Sequence, residues 1–106
     1  MKSRFFDENF KILSGYCFRM MQQLQYEYGF TTDQKNESMN INGLKSDHVV
    51  NIQLREARKG MVKVTLEVVR PVKKVADYEE RKRLEISLLN ALEAYVSEPE
   101  EYMHGV

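Results

Sequence analysis

Between His48 and Arg70 the chain alternates apolar and polar residues in two successive runs, and this pattern constrains the fold more than any other feature. Val50, Ile52 and Leu54 share one face of the first run, His48 to Arg55, with Asn51, Gln53 and Arg55 on the other. In the second, Met61 to Arg70, Val62, Val64, Leu66 and Val68 oppose Lys63, Thr65 and Glu67. A period of two belongs to strands with one face buried and one wet. Ala57-Arg58-Lys59-Gly60 lies between them, and its glycine can take the positive φ of a tight turn, so the runs form a hairpin. Pro71 ends the second strand by removing an amide donor. An isolated hairpin is marginal in water, so a third strand, or the hairpin of a second subunit, is expected beside it.

The covering layer is expected from helices on either side. Phe6, Phe10, Leu13, Cys17, Met20 and Leu24 follow at spacings of four, three, four, three and four, the seam of a helix capped by Ser3 or Asp7 and ended by Gly29. Gly15 in mid-helix suggests close approach of another backbone. Residues 31 to 38 hold no apolar side chain and read as a loop, and Met39 to Asn42 as an optional short strand before a turn at Gly43. After a connector over Val72 to Ala76, Asp77 is expected to cap a second helix, with Glu80 three residues on, an inward stripe of Leu84, Leu88, Ala91, Leu92 and Tyr95, and a stop before Pro99. Leu89, Ile86 and Val96 fall outside that stripe. The expected fold is therefore α+β: long N-terminal helix, antiparallel hairpin or three-stranded sheet, C-terminal helix (α-β-β-β-α), in two layers. Residues 1–98 form a single domain in this reading, and 99–106 an acidic C-terminal tail.

At 106 residues, 42% apolar and 30% charged, the chain can bury a core without disulfides or metals. One cysteine, placed in a helical seam, reads as a buried hydrophobe, and no apolar run approaches the ~20 residues that span a bilayer. The expectation is a cytoplasmic protein without a membrane association. A formal net charge of zero hides segregation: residues 55–83 carry ten basic and five acidic groups, or +5, and residues 84–106 carry no basic and five acidic groups, or −5.

Chemistry is hard to find. His48, His104 and Cys17 are not spaced as metal ligands, the five glycines are scattered, and the carboxylates cluster only at Glu79 and Glu80 and at Glu98, Glu100 and Glu101. No cofactor, no metal site and no catalysis are expected. Arg58, Lys59, Lys73, Lys74, Arg81 and Arg83 belong to a basic zone able to meet phosphates, which makes a nucleic-acid-binding protein the alternative reading. Lys73-Lys74-Val75-Ala76 leading into the last helix resembles the double-stranded-RNA-binding domain, whose last helix also starts with paired lysines. The glycine- and proline-bearing loop of that family is not matched, and the family is not assigned. Base stacking on the sheet is argued against, because neither strand of the hairpin carries an aromatic residue.

Eight of the eleven aromatic residues lie within the first thirty positions. Phe18, Met21, Tyr26 and Phe30 are expected to exceed what so short a chain can cover, and flexible methionines suit adaptable surfaces. The function expected from this surplus is a protein-protein interaction module, an adaptor, inhibitor or chaperone-like subunit, that pairs with itself as a homodimer and binds another protein through those four residues.

Overall fold

The computed structural model describes residues 1–33, 35, 37–69 and 75–97. The elements are β1 (Lys2–Phe6), α1 (Phe10–Gln23), β2 (Glu27–Asp33), β3 (Ser38–Lys45), β4 (His48–Arg58), β5 (Met61–Val69) and α2 (Val75–Ser97). The strands make one antiparallel sheet in the order β1-β5-β4-β3-β2. Both helices lie on one face of it, α2 over β1 and β5 and α1 over the β2-to-β4 half, which gives a body only 21 Å thick.

The α+β character holds, but the expected two- or three-stranded sheet is corrected to five strands. The hairpin is present: Met61 to Val69 pairs with His48 to Arg58, and Gly60 has φ of 80°. Ala57 is the extra residue of a bulge, because Glu56 opposes Val62 while Arg58 opposes Met61. The single long N-terminal helix is three elements. Lys2–Phe6 is an edge strand whose Phe6 is buried, Asn9 and neither Ser3 nor Asp7 caps α1, and the helix stops at Gln23. Asn9 Oδ1 accepts from the Lys11 and Ile12 amides at 2.8 and 3.4 Å.

The seam spans two elements: Phe6 of β1 happens to continue the helical spacing of Phe10, Leu13, Cys17 and Met20 in α1. Residues 31 to 33 are the end of β2 rather than loop, and β3 extends to Lys45. An edge strand buries little, so it carries no hydrophobic pattern to announce it. Strands β1 and β2 also depart from the α-β-β-β-α order of double-stranded-RNA-binding domains. The expected acidic tail lies outside the described residues, as do Lys73 and Lys74.

The core runs between sheet and helices. Met39, Ile41, Val50, Ile52, Leu54, Val62, Val64, Leu66 and Val68 project from the sheet, and Leu13, Cys17, Met20 and Met21 of α1 with Leu88, Leu89, Leu92 and Tyr95 of α2 meet them. Leu89 is inside after all, and Leu84 only half-buried. The surprise on this face is Glu85, 2% exposed: its Oε2 accepts from the Val68 amide at 2.8 Å and its Oε1 from the Met1 ammonium at 3.2 Å. β1 pairs β5 no further than Leu66, and the carboxylate satisfies the Val68 amide beyond the last paired residue. α2 begins at Val75, which places Asp77 in its first turn rather than at its cap.

Candidate interaction surface

The end of α1 sets the surface. Three bonds close the helix: Leu24 N–H to Met20 O at 3.0 Å, Gln25 N–H to Gln22 O at 3.1 Å and Tyr26 N–H to Met21 O at 2.9 Å. The last two are the 5→2 and 6→1 bonds of a Schellman motif, and they require the residue between them, Gln25, to be left-handed, φ 63°. Glycine is the usual occupant, since it carries no Cβ penalty. Gln25→Gly is therefore expected to stabilise the fold by about 0.5–1 kcal/mol, read as a raised urea midpoint at unchanged slope.

Beyond this turn β2 runs back under α1. Gly43 of β3 lies beneath the junction, where an added Cβ would sit 2.8 Å from Met21 Sδ and 3.2 Å from Tyr26 Cδ1. Gly43 was expected to turn the chain; instead it is a mid-strand glycine that lets α1 settle onto the sheet. Tyr26 is fixed there by its hydroxyl, 2.8 Å from His48 Nε2, while His48 Nδ1 is 2.7 Å from Asp47 Oδ1. With a neutral imidazole, Nδ1–H donates to the carboxylate and Nε2 accepts from the phenol. Burial and the Asp47 charge push the Tyr26 hydroxyl above its ordinary value, so it stays protonated and serves as a donor. The Lys45 ammonium lies 4.5 Å from the Tyr26 ring centre, and a shallow groove lined by Gln25, Glu27, Leu44, Lys45 and Ser46 runs alongside.

The sequence brought forward four residues here, and the structure divides them. Met21 is 0% and Tyr26 7% exposed, both covered by the chain itself. Phe18 is half-buried and Phe30 54% exposed. These two ring centres are 4.9 Å apart, and Phe18 also stacks on Tyr28 at 5.6 Å. Tyr28 was not singled out, although its spacing of two from Phe30 is that of one strand face. Gln22 Nε2 donates to its hydroxyl at 3.1 Å. The three rings form an aromatic ledge along the outer side of α1 and β2.

This ledge borders a free strand edge. Tyr28, Phe30 and Thr32 face the helices; Glu27, Gly29, Thr31 and Asp33 lie on the open sheet face. β2 pairs with β3 over seven residues without a bulge, and among the described residues nothing pairs with its outer side. The open face beyond carries Asn40, Asn42, Asn51, Gln53 and Thr65 in cross-strand rows, with an apolar row of Leu44, Val49 and Val69 at one end.

Of the basic zone, Arg58 and Lys59 sit at the β4–β5 turn and Arg81 and Arg83 on α2. Arg81 Nη1 reaches the Val68 carbonyl at 3.5 Å and its guanidinium lies over the Tyr78 ring. Val68 and Met61 are seven strand steps apart, so the two groups are separated by about 23 Å. Among the described residues, no three His, Cys, Asp or Glu side chains converge as metal ligands, and no helix is long and apolar enough to cross a membrane. Comparison with protein-family models, with curated proteins and with solved structures gave no match for this chain.

Proposed function

We propose that this domain is a non-catalytic protein-interaction module, acting as an adaptor, inhibitor or chaperone-like subunit, and that it works by strand addition at the outer edge of β2. The observation that carries this reading is the pairing of an unblocked seven-residue edge with a ledge of three aromatic rings, Phe30 exposed and Phe18 and Tyr28 half-buried. A strand edge supplies main-chain donors and acceptors to any extended segment, and the pockets beside alternate residues select among segments. Phe30, at the centre of the strand and half in water, has the character of an interface hot spot.

The test is selection of displayed peptides against the immobilised domain. Expected are extended sequences with apolar or aromatic residues at every second position, bound by the native chain and weakened by about tenfold or more in Phe30→Lys, since hot-spot truncations cost upward of 1 kcal/mol. Selected peptides that bind Phe30→Lys as well as the native chain, or a selection that yields none, would overturn the reading. Circular dichroism of the variant shows whether it is folded; the side chain is exposed enough for lysine to be tolerated.

A further inference from the structure

The geometry points to a second copy of this chain as the occupant of the β2 edge, the two β2 strands running antiparallel about a two-fold axis through Gly29. This rests on the reading of that edge as an interaction surface and names its partner.

The two edges of the sheet differ. β1 is five residues long, lies under α2, and is tied to it by Arg4 Nη1, which donates to Asn90 Oδ1 at 3.0 Å and Glu93 Oε2 at 2.9 Å. β2 has no lysine, no proline and no bulge, runs seven residues in register, and keeps its charges, Glu27 and Asp33, to its two ends.

Charge then selects who can sit there and in what register. Directly opposed residues of antiparallel strands share a face, so a partner that keeps its helices on the same side must oppose helix-facing residues to helix-facing residues. Centring on Phe30 would set Glu27 against the partner's Asp33 at both ends of the pair, which like charges disfavour. Centring on Gly29 instead sets Glu27 against the partner's Thr31 and carries Asp33 past the end of the pairing. In the same register Tyr28 opposes the partner's Phe30, and Phe30 the partner's Tyr28. The segment aromatic-glycine-aromatic is its own complement, and two cross-strand aromatic pairs cover the most exposed part of the ledge.

No close contact within one copy requires a glycine at position 29. A Cβ there would meet nothing within 4 Å, yet glycine in a strand weakens it by roughly 0.5–1 kcal/mol. At the two-fold axis Gly29 opposes the partner's Gly29, and the missing side chains leave the open sheet face flat at that point. The helices have room. With α1 centred over β3 and strands about 4.8 Å apart, the two α1 axes stand roughly 14 Å apart, wider than the 8–10 Å of direct helix packing. Phe18 and Gln22 line the slot between them, and the paired rings form its floor.

Sedimentation and register-specific cross-linking test this. The native chain is expected to sediment as a dimer with a dissociation constant on the order of micromolar, as suits a single strand pair with an aromatic ledge. Phe30→Lys is expected to sediment as a monomer. Under mild oxidation Gly29→Cys should cross-link about tenfold faster than Ile12→Cys, a comparably open site on α1, and faster than Phe30→Cys, because opposed Cα atoms fall within disulfide range and diagonal ones do not. The native Cys17 is buried and does not compete. A monomeric native chain overturns the self-pairing. Faster cross-linking at Phe30→Cys than at Gly29→Cys overturns the register. If the chain is monomeric but selected peptides still bind at Phe30, only this inference fails; if no peptide binds either, the interaction reading falls with it.

Discussion

Ile52→Ala is expected to destabilise the protein by about 2–5 kcal/mol, a large share of the ~5–15 kcal/mol that holds a domain of this size together. Ile52 is 1% exposed at the middle of β4, flanked across the sheet by Ile41 and Leu66. Removing three carbons there leaves a hole that two fully paired neighbouring strands cannot close by moving, so the cavity cost adds to the transfer cost. Denaturant unfolding followed by circular dichroism would show a lower midpoint with the slope kept. Gln53→Ala, one residue along on the wet face, should change stability by less than about 0.5 kcal/mol. Equal effects at the two positions would mean that the helices do not cover the face on which Ile52 lies.

The second large effect is expected in alkali and comes from Cys17. Burial pushes its thiol from 9.0 up to about 12. The unfolded chain thus releases this proton near pH 9, whereas the folded chain keeps it until about pH 12. The stability linked to Cys17 is fully present below pH 9 and is lost as pH rises, by about 1.4 kcal/mol per unit and about 4 kcal/mol in all. Tyr26, raised from 10.0, adds a slope of the same sign above pH 10. Urea midpoints measured from pH 8 upward should fall more steeply for the native chain than for Cys17→Ala. Parallel curves would show that the thiol reaches water in the folded state.

What could be read from the sequence follows what each residue buries. β4 and β5 sit in the middle of the sheet with one face in the core, so Val50 to Val68 wrote a clear alternation and the hairpin was legible with its glycine turn. β1 and β2 lie at the edges, where Phe5, Phe30 and Thr31 are exposed and no alternation is enforced. Neither edge strand writes a pattern of its own, so alternation alone announces two or three strands where the fold has five. Gly29 and Gly43 misled for a related cause: a glycine within a strand and one at a turn look alike until the neighbouring backbone is seen. Of the four residues in surplus over the visible core, Phe18 stays half-buried and Phe30 exposed. Met21 and Tyr26 fell in the same surplus, but β3 and β4, with Gly43 and His48, provide them a place. The partnership of Tyr26 with His48 spans 22 residues and leaves no local signal.

The strand order has a consequence for how the molecule comes into being. β1 is hydrogen-bonded only to β5, and Ser3 meets Thr65 across 62 intervening steps of chain. From β2 to β5 every pairing is between consecutive strands, so each can form as soon as its neighbour exists. On the ribosome, then, the first of these five strands to emerge is the one that must wait longest for its partner. Until β5 is complete, Phe5 and Phe6 leave the tunnel with no sheet to join. Closure of the fold waits on its beginning being retrieved.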